Sequence, residues 1–153
     1  MATIVNPTLT VEDFSTDTVK VTIKYTLFQH PLEYWARTVY REEICLIGDD
    51  APHNPAPPDF SSDIIVHVFP YYTVVNPYMD RFPPPIFVFD RVRVRIVAKA
   101  AMNEDPGFTN LGLPKPDEVF GLILLRTVAN PVEWPPIPKE TSAQTNTVHG
   151  IWG

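Results

Sequence analysis

The chain of 153 residues contains a single cysteine, Cys45, and only six glycines. One thiol cannot close an intrachain disulfide, which removes the secreted disulfide-framework class. The glycines are scattered, so adjacent ones cannot build a phosphate cradle, and no Walker loop, dinucleotide fingerprint or G-x-S-x-G occurs. No apolar run approaches the roughly 18 residues that a membrane-spanning helix needs, so no membrane insertion is expected. The opening "MATIVNPTLT" has neither the basic stretch nor the long apolar stretch of a secretory leader. A cytoplasmic protein is expected, or one exported without a leader. Positive charge is also short: 12 Lys and Arg stand against 18 Asp and Glu, for a formal net charge of −6. That balance disfavours nucleic acid as a partner.

Proline is abundant instead. Eighteen prolines are more than twice the usual share and argue against long helices, because proline lacks an N–H and clashes with the preceding turn. The period of the apolar residues is two almost throughout. Val19, Val21, Ile23, Tyr25 and Leu27 alternate with Lys20, Thr22, Lys24 and Thr26, which predicts a half-buried strand with its faces assigned. A leading strand is expected near Thr8 to Val11 and a third from Thr38 to Ile47. Residues 64 to 75 read as one edge strand bent at Pro70, since proline is tolerated at an edge or a bulge. Val119 to Val128 is nearly continuous apolar sequence, as a central strand requires.

About seven strands joined by long loops predict an all-β fold, an antiparallel two-sheet sandwich of immunoglobulin-like type, with a jelly roll as the rival. The domain is expected over residues 1–129. Residues 130–153 then form a proline-rich tail, extended or docked on the domain or on a neighbouring subunit.

The stretch "IFVFDRVRVRIVAK", residues 86 to 99, carries Arg91, Arg93 and Arg95 at alternate positions. Its even positions, Ile86, Val88, Val92, Val94 and Ile96, form an apolar set expected to face the core beside Val21 and Ile23. The arginines would then lie on a solvated outer face, their stems covering apolar surface and their heads in water. A protein partner or the acidic tail (Glu133, Glu140) is a further use for such a stripe.

Antiparallel order sends successive connections to opposite ends. One end collects carboxylates, among them Asp49, Asp50, Glu104 and Asp105, the residue types that hold a hard divalent cation such as Ca²⁺. The other collects Tyr34, Trp35, Tyr78, Phe82 and, from the start of the tail, Trp134, together with many prolines. Aromatic rings of this kind either cap the core or form a contact surface.

Catalysis finds little support. His30, His53, His67 and His149 form no short-spaced metal pair. Cys45 lies between Ile44 and Leu46 in a strand and follows Glu42-Glu43, a setting that raises a thiol pKa. The expected function is a non-enzymatic binding or assembly module without a cofactor. It would use the aromatic and proline-rich end and the tail to bind a protein partner or a second copy. The alternative is a Ca²⁺-dependent domain acting at the acidic end, recognising carbohydrate.

Overall fold

The computed structural model describes residues 2–48, 64–77, 87–103, 109–113, 116–129 and 140–152. Their elements, in chain order, are β1 (Thr3–Asp13), β2 (Thr18–Phe28), α1 (Pro31–Trp35), β3 (Val39–Gly48), β4 (Ile64–Val68) and β5 (Tyr72–Val74). Then come β6 (Val88–Ala98), α2 (Lys99–Met102), β7 (Asp117–Ala129), β8 (Glu140–Gln144) and β9 (Val148–Gly150). The protein is mostly β, with two antiparallel sheets. The first sheet has the order β1-β2-β6. The second runs β4-β3-β7-β8, with β5 also paired to β3 and β9 to β7.

The alternation in β2 does what its period requires. Val19, Val21, Ile23, Tyr25 and Leu27 are all buried, and they meet Ile44 and Leu46 of β3 and Val119, Ile123 and Leu125 of β7 in one core. The two sheets approach closely at Gly121, where an added Cβ would lie 2.9 Å from Ile23 Cδ1. β7 is central, as its apolar run implies, with β3 on one side and β8 and β9 on the other. Pro70 divides the edge of the second sheet into β4 and β5, both on β3. The Phe69 N–H donates to Ile44 O at 2.9 Å, so the ladder bends at the proline and continues.

The face expected for β6 is wrong. Val88, Val92, Val94 and Ile96 are exposed, whereas Phe89 and Val97 are buried and the arginines between them are half-buried. The register supplies the reason. Tyr25 pairs with Arg91, Ile23 with Arg93 and Val21 with Arg95. Directly opposed residues in a ladder share a face, so the buried face of β2 puts the three arginines inside.

Two one-turn helices also occur where only loops were expected. α1 tolerates Pro31 because the first helical position needs no N–H. Its start is closed by a capping box: Leu32 N–H donates to His30 Nδ1 at 3.2 Å, and His30 N–H to Glu33 Oε2 at 3.2 Å.

The described part of the C-terminal segment docks on the domain as β8 and β9. Between them, the Asn146 amide bridges to the first sheet. Its Oδ1 accepts the Leu9 N–H at 2.8 Å and its Nδ2 donates to Leu9 O at 3.2 Å. Those bonds occupy the outer side of β1 beyond a bulge between Val5 and Thr8, where Asn6 adopts φ 50°. Trp152 then folds over Gly150 so closely that a Cβ there would lie 2.3 Å from its ring.

Candidate functional site

The connections gather at two ends. At one, the Asn76 side chain donates to Gln29 Oε1 at 3.0 Å, and Gln29 N–H donates to Phe87 O at 2.7 Å. The β2–β3 connection therefore meets both ends of the β5–β6 connection. At the other, Lys99 N–H donates to Asp17 O at 2.9 Å, joining α2 to the β1–β2 turn.

The first end carries α1. Tyr34 and Trp35 are neighbours in sequence with opposite environments. Tyr34 is buried, its ring edge-on to Phe87 at 5.3 Å and to Trp35 at 5.3 Å. It fixes the helix to the start of β6. Trp35 is 69% exposed and Leu32 72% exposed. Residues three apart lie on one helical face, so the two form a small apolar surface on a fixed support. Tyr78, Phe82 and Trp134, the other aromatic candidates, lie outside the described residues.

The second end carries carboxylates with partners. Glu12 Oε2 lies 3.1 Å from Lys20 Nζ, and Asp13 Oδ1 lies 2.7 Å from Lys99 Nζ. Among the described residues no group of three His, Cys, Asp or Glu side chains is arranged to hold a metal ion. Asp49, Asp50, Glu104 and Asp105, the cation candidates, lie outside the described residues. Asp117, a further carboxylate at this end, is buried at the start of β7.

A third group joins the two sheets, and sequence reasoning missed it. Glu42 of β3 is 1% exposed. Arg93 Nε lies 2.7 Å from its Oε2, and Arg91 Nη2 lies 3.4 Å from its Oε1. Tyr25 donates its hydroxyl to Glu42 Oε1. Burial first, and then the Glu42 charge, pushes the Tyr25 pKa well above that of an ordinary phenol, so it remains a donor. The Arg93 guanidinium also lies over the Tyr72 ring, 3.2 Å from its centroid. Arg93 lowers the Tyr72 pKa, first as a hydrogen-bond donor to its hydroxyl and then by its charge, with a smaller effect from Arg95. The overlooked signal was the parity of β3. Glu42 falls on the same face as Tyr40, Ile44 and Leu46, all buried, so a cation had to reach it from the other sheet.

The remaining titratable candidates are quiet. Cys45 is half-buried, and its thiol pKa is raised by burial and then by the Glu43 charge, which disfavours the thiolate. His67 stands edge-on to Phe69 at 5.5 Å, its pKa lowered by burial and then by Arg95. Among the described residues no helix is long and apolar enough to cross a membrane.

In comparisons with known proteins, no family model and no curated sequence matches the chain.

Proposed function

We propose that the protein is a non-enzymatic binding or assembly module that contacts another protein, or a second copy, through its α1 end. The observation that carries this reading is the pairing of Leu32 and Trp35 on a helix anchored by the buried Tyr34. A large ring held ready in water loses little entropy on docking, and tryptophan is prominent among residues that dominate interface energies. Tyr78, Phe82 and Trp134 belong to the same proposal through their place in the chain. The lysine partners of Glu12 and Asp13 leave those two carboxylates less suited to a cation, which favours the protein-binding reading over the Ca²⁺ alternative. We further propose an immunoglobulin-like frame. Counting β4 with β5 and β8 with β9 as single bent strands leaves three strands facing four, all neighbours antiparallel.

The test compares the full chain with a Leu32→Ser/Trp35→Ser variant. Both side chains are exposed, so the variant should melt within about 0.5 kcal/mol of the parent. Sedimentation and affinity capture should show a self-associated species or a specific partner that the variant loses. Equal mass and equal capture for the two proteins would overturn the reading.

A further inference from the structure

We propose that β6 accepts an added strand from a different protein, one in which acidic residues alternate with apolar ones. This uses residues other than Leu32 and Trp35 and goes beyond the reading above. Among the described residues β6 pairs only with β2, so the backbone groups along its other side have no strand partner. An exposed edge is normally blunted by brevity, proline, a bulge, a cover, or charged side chains, including charges turned inward. The edge formed by β4 and β5 is short and broken at Pro70, and β1 is bulged and bridged by Asn146. β6 has 11 residues, no proline and an unbroken register with β2, so its guard is the inward-turned Arg91, Arg93 and Arg95, which repel a strand that brings no opposite charge.

The two sheets also differ in width. Among the described residues the first is three strands wide and the second four, with β4 and β5 sharing one place beside β3 and β8 and β9 another beside β7. Tyr72 is the cross-strand partner of the buried Glu42, yet it is 41% exposed. Arg93 extends from β6 to that ring, so a side chain covers the inner face of β5 where a fourth strand of the first sheet would otherwise do so.

The side chains define what such a strand must carry. Its inward residues would stand about 5 Å, Cβ to Cβ, from Arg91, Arg93 and Arg95. Among the described residues Glu42 is the one carboxylate paired with this stripe, and no ion pair is formed by Arg95. Carboxylates on the incoming strand would therefore complete the charge balance. Its outward residues would lie beside Val88, Val92, Val94 and Ile96, which are 44–54% exposed. Apolar side chains would cover that stripe, and strand geometry makes the two sets alternate. A second β6 does not meet these terms, because its arginines would lie against those already present and like charges opposed across a ladder repel.

The test uses the full chain and three ten-residue peptides. One alternates glutamate and valine, one has the same composition in shuffled order, and one alternates lysine and valine. Fluorescence anisotropy should show the glutamate–valine peptide binding about tenfold tighter than either control, as several favourable cross-strand pairs together imply. Its affinity should fall as salt rises from about 50 to about 300 mM. Hydrogen exchange should show protection gained in residues 88–98 and not in 64–74. Arg95→Gln, and separately Val92→Thr/Val94→Thr, should each weaken binding about fivefold. Trp35→Ser should leave binding unchanged, so failure here and failure of the α1 reading remain distinct. The proposal is overturned if the alternating and shuffled peptides bind equally, if protection falls outside β6, or if β6 amides in the free chain exchange as slowly as those of β2.

Discussion

Arg93 Nε lies 2.7 Å from Glu42 Oε2, linking the edge strand of one sheet to an inner strand of the other. Glu42 is almost wholly buried, so its charge depends on this contact, on Arg91 and on the Tyr25 hydroxyl. Removing one partner of a buried pair is costly because the other charge is left in a medium that solvates it poorly. We predict that Arg93→Met destabilises the protein by roughly 3 kcal/mol, at the low end of the range because Arg91 remains. In Glu42→Leu/Arg93→Met both charges are gone. Urea denaturation should then give a loss smaller than the sum of the single variants by roughly 1–3 kcal/mol. Strict additivity would mean that the two groups do not interact.

Alkaline pH should expose the same cluster. Tyr25 and Tyr40 both have pKa values raised above the ordinary 10.0, in each case first by burial and then by a neighbouring carboxylate, Glu42 or Glu33. In the unfolded chain each phenol loses its proton near pH 10, while in the folded chain it keeps it. Their contribution to stability is therefore complete below that pH and declines as pH rises above it. The melting temperature should fall from about pH 10 upward. Tyr25→Phe, which removes one of the two groups, should make the fall shallower. A melting temperature equal at pH 9 and pH 11 in the parent protein would contradict this.

The orientation of β6 can be tested without a partner. Val94 is exposed and Phe89, of opposite parity on the same strand, is buried. Val94→Lys should change stability by no more than about 0.5 kcal/mol. Phe89→Ala should cost roughly 3–5 kcal/mol of a total of roughly 5–15, as truncation of a buried aromatic ring does. The reverse pattern would mean that Val92, Val94 and Ile96, not Phe89 and the arginines, line the interior.

That strand marks the boundary of what was legible. In β2 every apolar residue but the terminal Phe28 lies on one parity, so only one burial pattern fits. In β6 both parities contain large apolar side chains: Val88, Val92, Val94 and Ile96 on one, Phe89 and Val97 on the other. Local alternation cannot choose between them. The choice is made by the ladder with β2 and by a carboxylate on a strand far away in sequence. α1 was hidden for a different reason. A helix of five residues offers too few positions for a helical period, although the capping pair His30 and Glu33 could have been read. Tyr34 and Trp35 stand side by side in the sequence, yet helical geometry turns one inward and the other out. Their division of labour follows from that turn, which composition does not reveal.

The C-terminus offers a last test of how its described residues are held. Trp152 is buried, and Gly150 lies under its ring with no room for a Cβ. Gly150→Ala must therefore displace the indole or bend β9 away from β7, where Gly150 pairs with Asp117. Overpacking of this kind costs typically about 1–3 kcal/mol. We predict that stability loss together with a red shift in tryptophan emission, because the displaced ring enters water. A smaller ring should relieve the clash while leaving some space unfilled. Gly150→Ala/Trp152→Phe should accordingly be less destabilised than the two single losses summed. If Gly150→Ala neither lowers the melting temperature nor shifts the emission, Trp152 does not pack on β9 in solution, and the last strand is held by its backbone alone.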